Sequence, residues 1–251
     1  MKNLFKEIFF RSRPKFSLPK GRAGILMYHS VSDRRDFFSA VSPGTFQKQM
    51  AYLAGKKYLV IPLADLVRCL RTHESLGGSV ALTFDDGYRD NYTTVFSLLK
   101  QYNFPATIFV TTSFIGTPGY CSAEELREMH DSGLVAIEPH TLTHPKLAKL
   151  SRIDAEREIR ESRRTLQEIL GTTPTLFAYP YGSFSEETIA VVRELGFMGA
   201  VMVKEGTVGP DTDPFRLPRN SIDRSTTFAQ FRGKVSRAID RYIALKAFLG
   251  I

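Results

Sequence analysis

At 251 residues, with 43% hydrophobic and 24% charged residues, the chain is long enough to bury the core of one large domain. Its formal charge of +8 sits at the ends: residues 1–24 hold seven Lys or Arg against one Glu, residues 232–251 hold five against one Asp, and the body between them has 22 basic and 24 acidic residues. That distribution argues against a nucleic-acid groove, which needs a basic face on the folded body. Cys69 and Cys121 supply neither a disulfide framework nor a thiolate metal site.

In chain order, Leu4, Phe5, Ile8 and Phe9 recur at helical spacing with Lys2 and Lys6 among them, so residues 1–22 read as a basic amphipathic extension. Charges interrupt every apolar run there, the longest being Ile8-Phe9-Phe10, so neither a transmembrane segment nor a signal peptide is expected. As written, the chain is expected in the cytoplasm, with its basic ends able to rest on the inner membrane face. Residues 25–28 read as a strand, 45–55 as a helix and 58–61 as a short apolar run. Leu63, Leu66, Val67 and Leu70 then mark a second helix. The same alternation continues with a strand at 80–84, a helix at 91–101, a strand at 106–110 and a helix at 123–131, whose Ser122 and Glu125 have capping-box spacing. A strand at 134–137 precedes a charged helix capped by Ser151 and ending near Leu170. A strand at 175–179, a helix capped by Ser185 and an apolar run at 198–203 follow. Phe228, Phe231, Val235, Ile239, Tyr242 and Leu245 give residues 228–251 a second basic amphipathic helix, leaving 23–227 as the body.

Repeated strand-then-helix units imply parallel strands with helical crossovers. About seven units suit a closed or partly closed β/α barrel better than an open doubly wound sheet. Polar clusters also follow the strands: His29 after 25–28, Asp85 and Asp86 after 80–84, His140 after 134–137 and Pro180-Tyr181-Gly182 after 175–179. In a barrel those strand ends converge on one face.

The clusters carry specific chemistry. His140 and His144, four residues apart, can turn two imidazoles to one side, and neutral imidazole is a good zinc ligand. Thr141 stands where a zinc-peptidase motif needs glutamate, so that class is excluded. Adjacent carboxylates in Asp85-Asp86-Gly87 repel in a partly buried pocket unless a cation or proton compensates. The division of labour follows: Asp86, His140 and His144 as metal ligands with a position left for water, and Asp85 as general base. Zinc is the expected ion, with cobalt or nickel as alternatives. Gly87 allows the sharp turn that brings both carboxylates to the site. Taken alone, Asp-Asp-Gly also reads as an ordinary strand-ending turn.

Thr83-Phe84-Asp85-Asp86-Gly87, His140-Thr141-Leu142-Thr143-His144 and Tyr179-Pro180-Tyr181-Gly182 together resemble three motifs of the polysaccharide deacetylases, in the family's order and over roughly residues 24–222. The resemblance implies an α/β fold, a single-domain distorted (β/α)7 barrel, with an Asp-His-His metal site. It also implies an N-acetylated glycan as substrate and an oxyanion held by the backbone N–H of Tyr181, with Pro180 and Tyr181 against the substrate. Met27-Tyr28-His29-Ser30-Val31, Val41-Ser42-Pro43-Gly44-Thr45-Phe46 and Phe215-Arg216-Leu217-Pro218-Arg219 look like the poly-N-acetylglucosamine branch, in which His29 matches the general acid.

The chain departs from the family pattern at several points. Ala178 stands where many members have an arginine that orients the base, and Arg219 is the candidate replacement, grouped with the substrate contacts. No tryptophan is present and no histidine follows His144. Glu138, two residues before His140, is expected to narrow the pocket or touch the metal. These departures motivate a second reading, a noncatalytic glycan-binding relative. The basic N-terminus motivates a third, action on a lipid-linked sugar at the membrane.

Overall fold

The computed structural model describes residues 2–11, 18–34 and 36–250. Leu4 and Phe5 of the expected apolar stripe lie outside the described side chains. Helix α1 (Lys2–Arg11) is followed by β1 (Gly24–Tyr28), two short paired strands β2 (Ser30–Val31) and β3 (Ala40–Val41), then helices α2 (Pro43–Gly55) and α3 (Leu63–Thr72). Strand β4 (Val80–Phe84), α4 (Phe96–Tyr102), β5 (Ala106–Val110), α5 (Ala123–Asp131) and β6 (Val135–Pro139) form the middle of the chain. Then come α6 (Arg152–Leu170), β7 (Leu176–Ala178), α7 (Glu186–Glu194), β8 (Gly199–Val201), β9 (Asn220–Ser221), α8 (Phe228–Lys234) and α9 (Ala238–Leu249).

Strands β1, β4 and β5 are apolar runs buried at every position, the pattern of parallel strands covered on both faces. The helices that cover them are amphipathic and capped where the sequence indicates. Ser122 and Glu125 form a full capping box, Ser151 accepts from Asp154 N, and Ser185 accepts from Thr188 N. In α3 the buried face is Leu63, Leu66, Val67 and Leu70, each contributing roughly 1.5–3 kcal/mol of apolar burial.

The sheet order is β6-β5-β4-β1-β9, all parallel, with β7 and β8 paired separately. Val201 of β8 pairs in parallel with Leu217, and three residues later Asn220 pairs with Leu26 of β1. The segment running from Leu217 into β9 therefore joins the pair to the larger sheet and makes a seven-strand barrel. Among the described residues no backbone ladder links β6 to β7; side chains close that seam. Glu138 Oε2 accepts from the N–H groups of Thr175 and Leu176 at 2.8 and 2.9 Å, and at the other end His140 Nδ1 lies 2.8 Å from the Ala178 carbonyl. Glu138 thus points into the seam rather than toward the pocket or a metal, correcting the expectation from sequence. Two residues before His140, it lies on the same side of β6 but at the level where β7 starts, whereas His140 reaches the level where β7 ends.

Two other elements differ from the sequence reading. The expected helix at 91–101 begins with a π-helical turn at Asn91–Val95, which lets Asp90 and Asn91 both bond the chain just after β1. The expected single C-terminal helix is two, because Ser236 Oγ donates to Gly233 O and accepts from Ala238 N, ending α8 and starting α9. Helix α1 docks on this pair. Phe9 and Phe10 pack on Tyr242, and a Cβ at Gly233 would sit 2.0 Å from the Phe10 ring, so only glycine permits the approach. No helix among the described residues is long and apolar enough to cross a membrane.

Burial pushes the Glu138 carboxyl up to about 8, against the two N–H donors. Raised from 4.5 in the unfolded chain, it contributes stability fully present below about pH 4.5 and lost as pH rises through about 8. Glu138→Gln should abolish that slope in urea unfolding at pH 5 and 8.5. Glu138→Ala, which strands two N–H groups, should cost roughly 1–3 kcal/mol at both.

Candidate active site

Strand β4 delivers Asp85 and Asp86 to the carboxyl-end face. Asp85 N still donates to Tyr28 O, extending the ladder by one residue, and the chain then breaks away with φ of +74° at Asp86 and +78° at Gly87. A Cβ at Gly87 would meet Val110 Cγ1 at 3.1 Å, so glycine serves both the turn and the close approach.

Asp85 is 2% exposed and Arg219 0%. The guanidinium forks onto the carboxylate, Nη1 to Oδ1 at 2.6 Å and Nη2 to Oδ2 at 2.7 Å, while Nε donates to Met202 O and Nη1 also reaches Thr83 Oγ1. Burial favours the neutral acid, but the charge of Arg219 and then the field of His140 outweigh it and hold Asp85 below the usual carboxylate range.

His140 leaves β6 and donates from Nδ1–H to the Ala178 carbonyl; because that partner only accepts, the Nε2 lone pair is left bare toward the site. Its Nε2 lies 3.2 Å from His144 Nε2 and 3.7 Å from Asp86 Oδ1, and His144 Nε2 lies 3.3 Å from the same oxygen. His144 comes inward through left-handed φ values of +69° at Thr141 and +64° at His144, conformations that cost of order 1–3 kcal/mol each and need surrounding bonds to persist.

Among the described residues Asp86 Oδ1 is buried without a hydrogen-bond partner, and one ligand atom from each of Asp86, His140 and His144 lies within 4.8 Å of the others. Two imidazole nitrogens and a carboxylate oxygen turned on one another are a donor set that a divalent cation satisfies. Burial lowers the pKa of His140, keeping it in the neutral, ligating form. Burial pushes Asp86 up, but contact with His144 and the fields of His140 and His29 bring it down to about 2.

His29 stands on the wall of the same cavity, of about 650 Å³, as Asp85, Asp86, His140, His144 and Tyr181. Its loop is clamped: Asn91 Nδ2 donates to His29 O, and Asp90 accepts from Ser30 Oγ and Val31 N. The sequence reading missed Asp90 and Asn91. Their signal is faint, two more polar residues in the run that follows Asp86. Tyr181 has φ +58° and a ring 4.6 Å from that of His144, and at 60% exposure it forms part of the cavity mouth. Pro180 and Arg219, expected against the substrate, are buried and are not among the residues lining the cavity. Arg219 lies against Asp85, with its guanidinium committed to that carboxylate.

A family model described as polysaccharide deacetylase matches residues 73–200. A candidate polysaccharide deacetylase of Bacillus subtilis (strain 168), YxkH, is 30% identical over 208 residues, covering 82% of this chain and 74% of its own. The chain belongs to the polysaccharide deacetylase family. A Staphylococcus epidermidis relative, poly-beta-1,6-N-acetyl-D-glucosamine N-deacetylase, is 27% identical over 82% of this chain and 80% of its own. Two solved structures share the fold of this polysaccharide deacetylase. The Streptococcus pyogenes deacetylase PplD in complex with acetate has a TM-score of 0.80 at 24% identity, over 87% of this chain and 100% of that one. IcaB from Ammonifex degensii has a TM-score of 0.77 at 24% identity, over 88% and 99%.

Arg219→Gln should leave a buried carboxylate uncompensated and destabilise the protein by about 3–5 kcal/mol. The double variant Asp85→Asn/Arg219→Gln should lose less than the sum of the two single changes in denaturant unfolding, the non-additivity expected of one paired unit.

Proposed function

We propose that this polysaccharide deacetylase hydrolyses the N-acetyl amide of N-acetylhexosamine units in a glycan, with a divalent metal held by Asp86, His140 and His144. The observation that carries the reading is the unpartnered Asp86 Oδ1 facing two imidazole nitrogens, next to a carboxylate already neutralised by Arg219. Zinc is the ion we assign, with cobalt or nickel able to replace it. When bound, it supplies Lewis acidity that lowers the pKa of water and polarises the amide carbonyl.

The side chains divide the remaining work. Asp85, kept anionic by Arg219, takes the proton of the attacking water. The Tyr181 N–H donates to the oxyanion as the carbonyl carbon becomes tetrahedral. As the C–N bond breaks, His29 gives a proton to the departing amine nitrogen, and acetate and a free amine leave. Ala178 keeps its carbonyl for His140 and leaves the arginine role to Arg219, which supports a catalyst over a noncatalytic glycan binder.

The substrate class we assign is a poly-N-acetylglucosamine-type chain, after the polymer in the name of the Staphylococcus epidermidis relative. Tyr181 and Phe38, each 60% exposed on the cavity lining, offer flat faces to sugar rings. We also propose that the basic ends rest on an anionic membrane surface on its cytoplasmic side. With Phe9 and Phe10 committed to the body, the exposed apolar contacts fall to Ile8, Phe228, Phe248 and Leu249.

Asp85→Asn should lower acetate release from N-acetylglucosamine oligomers by about 10²–10⁴-fold while metal content stays near that of the wild type. Full activity in that variant would discard Asp85 as base, and absence of metal from the wild type after zinc or cobalt loading would discard the metal site. Full-length protein should co-sediment with phosphatidylglycerol vesicles more than with phosphatidylcholine vesicles, and Phe248→Ser should weaken it. Equal sedimentation with both lipids would remove the membrane proposal.

A further inference from the structure

The buried face of α6 is Ala155, Glu158, Ile159, Ser162, Leu166 and Leu170, a helical stripe with one carboxylate in it. Glu158 is 7% exposed and, among the described residues, makes no ion pair. A buried carboxylate without a cation needs other donors. Among the described residues, its carboxylate is met by donors of the five-residue loop that carries the two histidines. Oε2 accepts from Thr143 N at 2.8 Å and Oε1 from Thr143 Oγ1 at 2.7 Å, while the backbone carbonyl of Glu158 accepts from Leu142 N at 3.1 Å.

The opposite side of the loop is held by the segment after β5, where Thr112 N donates to Thr141 O and Ser113 N to Leu142 O. Within it, His144 N donates to Thr141 Oγ1 at 3.0 Å. The loop must hold left-handed backbone at both Thr141 and His144 to bring His144 Nε2 to Asp86. The bonds from α6 fall on Leu142 and Thr143, the two residues between those strained positions. None of the mechanistic roles above uses Glu158.

We propose that Glu158 is a positioning residue for the metal site: through Thr143 it holds the histidine loop in the conformation that presents His144, and with it His140, to a divalent cation. This rests on the metal reading above. Outer-shell partners that orient ligands typically change metal affinity about 10–100-fold when removed, and here the orientation is of the loop backbone rather than of an imidazole ring.

The test is titration of Co²⁺ into metal-free wild type, Glu158→Ala, Glu158→Gln, Thr143→Ala and, as a control on the same buried stripe, Leu166→Ala. Each titration is scored on the folded fraction. Glu158→Ala should weaken Co²⁺ binding about 10–100-fold. Thr143→Ala, an exposed change that removes one of the two side-chain bonds and leaves the fold intact, should weaken it by a smaller factor. In Glu158→Gln the amide oxygen still accepts from Thr143 N and the amide nitrogen can donate to Thr143 Oγ1, so affinity should return to near wild type. Leu166→Ala should lower the melting temperature without changing affinity. Wild-type affinity in both Glu158→Ala and Thr143→Ala would overturn the proposal, as would a loss in Leu166→Ala equal to that in Glu158→Ala. Should Glu158→Ala fail to fold, Thr143→Ala decides alone. A wild type that binds no Co²⁺ overturns the metal reading itself, a result distinct from the failure of the brace.

Discussion

Two neighbouring carboxylates buried at the end of one strand impose the condition that the rest of the site answers. Like charges so close cannot both stay ionised in a dry pocket unless each finds its own cation. Asp85 finds Arg219, whose fork occupies both carboxylate oxygens and whose remaining donors reach β4 at Thr83 and the end of β8 at Met202. Asp86 finds the two imidazoles and the space between them. The two aspartates differ by one residue in sequence and, because Asp86 takes a left-handed φ, face different partners. That separation gives one an arginine partner and turns the other toward the two imidazoles.

The barrel is closed by the same residues that build the site. Where β6 and β7 fail to pair, Glu138 meets the start of β7 and His140 meets its end. The bond that fixes the His140 tautomer is therefore also a structural clasp, and the orientation of that imidazole depends on the fold being shut. The carbonyl that completes it belongs to Ala178, two residues before the Pro180-Tyr181 turn, so the clasp also sets where that turn lies.

The chain ends belong to this architecture rather than hanging from it. Glu205 lies between Lys6 of α1 and Lys234 of α8, 2.9 Å from each, and Lys234 also donates to Ser221 O of β9. Asn220 bonds Gly206 and the Lys234 carbonyl. These contacts brace the strand that immediately follows Arg219, so the terminal helices support the ion pair at the centre of the site from the far side of the sheet.

Much of the molecule was legible in the residues taken in order, because it is set by local forces. Strand runs buried on both faces, the i, i+3, i+4 stripe of α3 and the Ser122, Ser151 and Ser185 caps each depend on neighbours within a turn or two. The Asp-Asp and His-x-x-x-His pairs announce their chemistry by adjacency alone. What tertiary structure decided is whatever depends on partners far apart in sequence. The Arg219–Asp85 fork spans 134 positions. The acceptor for His140 is a backbone carbonyl, which every residue has and no side chain advertises. Glu158 looks like one more charge in a charged helix until its face is seen to be buried, and Glu138 looks like a pocket residue until the two N–H groups at the start of β7 draw it into the seam. Local propensity and spacing are written into the chain; which buried charge meets which donor is settled only when folding brings them out of water together.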